Sequence, residues 1–240
     1  MRANLLSRQV VKVSEKSKIY KERLDSLRAQ IGKATLVAVS KYSPAIDAES
    51  FYQLGQLDFG ENRVDELASK AQYFSDKGLD EVRWHFIGTI QRNKVKKLLS
   101  IPNLSAIHSI DRPEILDEII KHQELFKGPK LDLYFEMNLG GEREKHGFSE
   151  LNLLSRLIEH KRQQLPANMN IKGLMVMAPL RTDDAVATAR TCFLELAECA
   201  RVLKAHFGYH FELSMGMSGD YLLALECGSN LVRVGSLLFK

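Results

Sequence analysis

The chain has 240 residues, 45% hydrophobic and 27% charged, ordinary proportions for a globular protein able to bury a full core. Its 34 basic and 30 acidic side chains leave a formal charge of +4, scattered along the sequence, which argues against nucleic acid as a partner. No apolar run approaches the length of a membrane span, Met1 to Lys33 is too polar for a secretory signal, and three unpaired cysteines (Cys192, Cys199, Cys227) suit a reducing compartment. A soluble, cytoplasmic protein is expected.

Residues 1–33 read as an N-terminal helix, with Tyr20, Leu24, Leu27 and Ile31 at 4, 3, 4 spacing and Gly32 as its stop. Strand-like runs then recur at Leu36–Ser40, Leu57–Gly60, Arg83–Gly88, Ala106–Ile110, Leu131–Asn138, Ile171–Ala178, Phe211–Met215 and Leu231–Val234. Helix signals lie between them. The basic group Arg92, Lys94, Lys96 and Lys97 has no interleaved aromatics and reads as a solvated helix face. Asp111-Arg112-Pro113 opens one helix with proline in its first turn, and Ser149 opens another carrying Leu153, Leu154, Leu157 and Ile158. Thr182, Asp183 and Asp184 open the longest, on which Cys192, Leu196, Cys199 and Leu203 form a core stripe. Eight strands alternating with helices, and no linker-like stretch, predict a single-domain TIM-like (β/α)8 barrel over residues 1–240. The N-terminal helix is expected to take the place of a closing outer helix. A doubly wound open sheet is the alternative, and the lack of a Gly-x-Gly-x-x-Gly turn after the first strand counts against its dinucleotide-binding version.

In a barrel the carboxyl ends of the strands converge on one face, where chemistry collects. The first strand delivers Lys41 there, followed by Ser43-Pro44. A lysine partly desolvated at such a site can lose its proton and attack a carbonyl, while one at the surface does nothing of the kind. The second strand ends in Gly60-Glu61-Asn62, and the third carries Trp84-His85-Phe86-Ile87-Gly88. The seventh ends in Ser214-Met215-Gly216-Met217-Ser218-Gly219 and the eighth in Arg233-Val234-Gly235-Ser236. Small residues in those last two turns would let backbone N–H groups approach a phosphate, with serine hydroxyls as further donors, across the mouth from Lys41. A phosphate anchor together with an imine-forming amine suggests pyridoxal 5′-phosphate. Glu61 reads either as a base or as a cap of the following helix, His85 as a strand histidine or a site residue, His108 as structural, and His146 as part of a loop. No His, Cys or carboxylate cluster has metal-ligand spacing, so no metal is expected.

The segments Ala38-Val39-Ser40-Lys41, Phe59-Gly60-Glu61-Asn62, Trp84-His85-Phe86-Ile87-Gly88, Lys145-His146-Gly147-Phe148, Leu213-Ser214-Met215-Gly216-Met217-Ser218 and Val232-Arg233-Val234-Gly235-Ser236 together resemble the YggS/PROSC family of pyridoxal phosphate homeostasis proteins. The resemblance runs from about Leu36 to Lys240. It implies a barrel like the N-terminal domain of alanine racemase, with pyridoxal 5′-phosphate held as a Schiff base on Lys41. It also implies Arg233 against the pyridine nitrogen, Ser214, Ser218, Gly235 and Ser236 on the phosphate, and Asn62 and His85 near the ring. Three positions depart from the family pattern. Tyr42 replaces a threonine, Gly219 is inserted before Asp220, and Lys240 replaces a glycine.

The resemblance implies a binding and homeostasis protein with no catalytic residue. An arginine on the ring nitrogen leaves it unprotonated and a poor electron sink. Racemisation also needs a second base, which alanine racemase takes from an additional domain, and here the chain stops after the eighth strand. The partners expected are the cofactor and the apo-enzymes that use it, with the chain a monomer or at most a weak dimer. The alternative is an amino-acid racemase or related enzyme on the same site.

Overall fold

The structure, a computed structural model, describes residues 2–139, 146–179 and 184–240, with side chains described from residue 15 onward. Helix α1 (Arg2–Ile31) precedes β1 (Thr35–Val39), and there follow α2 (Ala45–Gln53), β2 (Asp58–Glu61), α3 (Val64–Asp76), β3 (Arg83–Phe86), α4 (Val95–Leu99) and β4 (Leu104–Ile110). Next come α5 (Pro113–Lys121), β5 (Leu131–Glu136), α6 (Leu151–Lys161), β6 (Met169–Met175), α7 (Ala185–Phe207), β7 (Glu212–Ser214), α8 (Tyr221–Glu226), β8 (Leu231–Val234) and α9 (Ser236–Phe239).

The strands are parallel and close in sequence order, β1 to β8. β1 pairs with β2 at Ala38↔Phe59 and with β8 at Leu36↔Val232 and Ala38↔Val234. The barrel is therefore closed, and the open-sheet alternative falls away.

Side chains alternate across each strand, so every second residue faces the helices and the others face the barrel interior. Leu36, Ala38, Phe59, Trp84, Phe86, Leu133, Phe135, Val232 and Val234 belong to one continuous apolar core with the helices. A separate, small apolar cluster of Ala106, Tyr134 and Met175 sits apart from it. Polar residues occupy much of the remaining interior, where barrels of this class usually carry layers of branched aliphatics.

The apolar stripe of α1 behaves as its spacing predicts, with Tyr20, Leu24, Leu27 and Ile31 all buried. Burial of each such side chain contributes about 1.5–3 kcal/mol. Tyr20 stacks on Phe51 of α2 at 4.4 Å, Phe51 meets Phe239 of α9 at 4.8 Å, and Arg23 Nη1 donates to the Leu238 carbonyl at 2.9 Å. Thus α1 covers the β8–β1 seam that the very short α9 leaves bare.

Two helix starts differ from expectation. The N-cap of α6 is Glu150, without a side-chain cap bond, so Ser149 lies outside the helix it was expected to open. The N-cap of α7 is Asp184, whose Oδ1 accepts from the Ala187 N–H at 2.9 Å, while Thr182 and Asp183 lie outside the described residues. No helix among the described residues is long and apolar enough to cross a membrane.

Candidate binding site at the barrel mouth

The turns after β7 and β8 lie side by side. Gly216 has φ +94°, and a Cβ there would stand 2.6 Å from the Ala224 methyl and 3.0 Å from Tyr221 Cα, so only glycine fits. Its carbonyl accepts from the Arg233 N–H at 2.9 Å, and Ser218 Oγ accepts from the Gly235 N–H at 3.2 Å. The two turns are thereby stitched into one surface. Ser218 and Gly235 are half-buried and Ser236 is exposed. The backbone N–H groups of Ser218, Gly219, Ser236 and Leu237 carry no hydrogen bond among the described residues. Four unpartnered donors and two hydroxyls at one rim form an anion cradle. Asp220, the acid nearest in sequence, has its Oδ1 engaged by the Met217 N–H.

Because β8 pairs with β1, this cradle is next to Lys41 and not across the mouth from it. Lys41 is exposed, against the partial desolvation expected of it, and its Nζ lies 5.8 Å from the ring of Tyr42. Tyr42 is itself 82% exposed, with φ +70° in the left-handed region that side chains other than Gly, Asn and Asp seldom adopt. The turn is anchored from behind. Ser40 Oγ donates to Glu61 Oε1 at 2.6 Å, and Lys70 of α3 donates both to the Ser40 carbonyl at 2.8 Å and to Glu61 in a short ion pair. Glu61 is 1% exposed and turned away from the mouth toward α3, so it is neither a base at the site nor a helix cap. Asn62, half-buried, lines a cleft of about 240 Å³ beside the mouth with Tyr42, Pro44, Arg63 and Glu66.

Arg233, 4% exposed, sits under the cradle. Its Nη1 donates to Ser214 O at 2.7 Å and Ser214 Oγ at 2.6 Å, and its Nη2 to Val176 O at 2.9 Å. Burial pulls its pKa down to about 10, partly opposed by Glu136 and Asp220, so it stays a cation at neutral pH.

Two expected site residues lie elsewhere. Ser214 is fully buried, its hydroxyl group engaged with Arg233 and with His108 Nδ1 at 2.8 Å, below the rim on which Ser218 and Ser236 lie. His85 is buried inside the barrel, between His108 Nε2 at 2.9 Å from its Nδ1 and Asp58 Oδ1 at 3.0 Å from its Nε2. It is separated from Arg233 by two intervening side chains, His108 and Ser214. His108, read as structural, is the link between them, stacked on Tyr134 at 4.4 Å. Burial, chiefly, and the nearby Arg233 cation hold its pKa well below the usual imidazole range. His146 is exposed, 3.5 Å from Asp111, and Lys145 lies outside the described residues. Within the basic group, Arg92 pairs with Glu118 at 2.7 Å, and Lys94 and Lys97 pair with Asp65 at 3.0 and 2.6 Å.

The sequence profile of the family described as "Alanine racemase, N-terminal domain" matches residues 18–240. A pyridoxal phosphate homeostasis protein of Schizosaccharomyces pombe is 35% identical over 222 residues, 90% of each chain. One of Aquifex aeolicus is 39% identical over 209 residues, 86% of each. PipY of Synechococcus elongatus, solved with PLP bound, superposes with TM-score 0.80 at 33% identity, covering 92% of this chain and all of that one. Alanine racemase of Corynebacterium glutamicum shares the fold, with TM-score 0.70 at 13% identity over 93% of this chain and 61% of that one.

Proposed function

We propose, from the premise that this chain belongs to the alanine racemase N-terminal domain family and, within it, to the pyridoxal phosphate homeostasis proteins, that it binds pyridoxal 5′-phosphate at the barrel mouth and holds it for cytoplasmic homeostasis without substantial turnover. One observation carries the reading. Unpartnered N–H donors on the Ser218 and Ser236 turns, an adjacent Lys41 and the buried Arg233 cation lie at the same end of the same strands.

Ser218, Ser236, Gly235 and their neighbouring amides suit the dianionic phosphate, which fixed N–H dipoles hold at little reorganisation cost. Arg233 has its Nε–H and one Nη2–H without a hydrogen bond among the described residues, enough to donate to a pyridine nitrogen. Bound there, the cofactor supplies an aldehyde for Schiff-base linkage to the Lys41 amine and a ring able to take up electron density. A permanently protonated arginine keeps the ring nitrogen in its unprotonated form, which favours holding over turnover. Asn62 flanks the ring from the second strand. Apo-enzymes that need the cofactor are the proposed recipients, with the chain acting as a monomer or weak dimer.

The test is an absorption spectrum with and without added pyridoxal 5′-phosphate, then borohydride reduction and peptide mapping, in wild type and Lys41→Ala. A visible band in wild type, fixed on Lys41 and absent from the variant, supports the reading. An equal band in the variant, or none in either, overturns it. Sustained α-deuterium exchange into added amino acids, beyond what free cofactor gives, would turn the assignment to a racemase.

A further inference from the structure

The barrel interior holds polar residues that the binding site does not use. Read from the far end, Arg83 Nε and Nη2 donate to the two oxygens of Asp58 at 2.7 and 2.6 Å. Asp58 then meets His85, His85 meets His108, His108 meets Ser214, and Ser214 meets Arg233, every step within 3.0 Å. Strands β2, β3, β4, β7 and β8 each contribute, and all members but Arg83 are buried.

The carboxylate end sets the sense of this chain. An arginine can only donate and a carboxylate can only accept. Asp58 takes only a donated hydrogen, so His85 carries its proton on Nε2. With both imidazoles neutral, His85 Nδ1 accepts from His108 Nε2–H, and His108 Nδ1 accepts the Ser214 hydroxyl hydrogen. The lone pairs of the Ser214 oxygen are then left to the Arg233 donor.

We infer that Asp58, His85 and His108 are positioning residues for Arg233, forming a one-way relay through the barrel that fixes the Ser214 hydroxyl as acceptor for the guanidinium. This rests on the reading of Arg233 as the cofactor's ring-nitrogen partner. It extends control of that partner to Asp58 at the opposite end of the barrel. A reversed relay would turn the Ser214 hydroxyl hydrogen away from His108 and set it in competition with the Arg233 donor.

Imidazole 15N NMR of the full chain at neutral pH, without cofactor, tests this directly. Wild type is expected to show His85 and His108 as neutral Nε2–H tautomers, and so is Arg83→Gln, which keeps the Asp58 carboxylate. Asp58→Asn, close in shape but able to donate as well as accept, is expected to lose the single-tautomer signature at both histidines. An imidazolium or Nδ1–H form at either histidine in wild type overturns the relay. So does an unchanged His108 tautomer in Asp58→Asn. If Asp58→Asn does not fold, His85→Leu removes the acceptor for His108 and is expected to release the His108 tautomer in the same way. Titration of wild type with pyridoxal 5′-phosphate is read separately, so failure to bind the cofactor counts against the site and not against the relay.

Discussion

Lys70 and Glu61 form an ion pair in which both side chains are almost wholly buried, at 7% and 1% exposure, directly behind the turn that presents Lys41. Replacing Lys70 by Met keeps the aliphatic stem and removes the charge. Glu61 would be left in the interior with only the Ser40 hydroxyl as donor, and the Ser40 carbonyl would lose one of its two bonds, keeping that from the Ser43 N–H. Breaking one side of a buried pair costs about 3–5 kcal/mol, because the other charge stays desolvated. Unfolding entropy of about 2.1 cal/mol/K per residue, over the 240 residues of this chain, amounts to roughly 0.5 kcal/mol per degree. Lys70→Met should therefore lower Tm by about 6–10 °C in a thermal melt followed by circular dichroism. The double variant Glu61→Leu, Lys70→Met removes both charges and should recover most of the loss, since an apolar pair of similar volume is often neutral. A drop under about 2 °C for Lys70→Met, or a double variant as unstable as the single one, would refute the argument that the uncompensated carboxylate carries the cost.

Gly216→Ala forces a methyl to within 2.6 Å of Ala224 at φ +94°, and should cost about 2–4 kcal/mol by denaturant titration while weakening capture of pyridoxal 5′-phosphate. Tyr42→Gly relieves the φ +70° backbone at an 82% exposed position and should stabilise by about 0.5–1 kcal/mol, the left-handed strain slightly outweighing the entropy of an added glycine. Burial raises the Asp58 pKa, but hydrogen bonds from Arg83 and His85 more than offset this and hold it at about 2. A depressed carboxyl stabilises the fold above its unfolded pKa and loses that contribution as pH falls from about 4 through 2, here about 2 kcal/mol. Asp58→Asn should flatten the acid limb of stability against pH over that interval.

The strands were legible because each is a short apolar run bounded by turn residues, and eight of them alternating with helices point to a barrel, although only the β1–β8 pairing excludes an open sheet. The anion cradle was legible too, since glycine and serine cluster where two strands end. Depth within the barrel was not. His85 and Ser214 stand in motif-bearing segments, and their inward parity can be counted along the strands. Their height depends on strand stagger, which only the pairing of Gly60 with His85 and of Ser214 with Leu231 reveals. Glu61 was misread because it follows a turn-like Phe-Gly pair. Its parity with the outward Phe59 was the available signal that it faces α3. His108 and Asp58 carry little local signal, because an isolated polar residue in an apolar run gains its meaning from partners on other strands.

Closing the barrel between β1 and β8 has a consequence for how the molecule comes to be made. Arg23 and Leu238, joined by a hydrogen bond, are 215 positions apart, and β1 finds its second neighbour only in the last strand. A ribosome adding 5–20 residues each second would leave part of the apolar stripe of α1 and one edge of β1 unsatisfied for roughly 10–40 s. Contacts so distant in sequence close slowly once the chain is free. The nascent protein therefore carries an exposed strand edge and a sticky helix through most of its synthesis, and the seam that completes the fold is also where it is most open to aggregation or to capture by a chaperone.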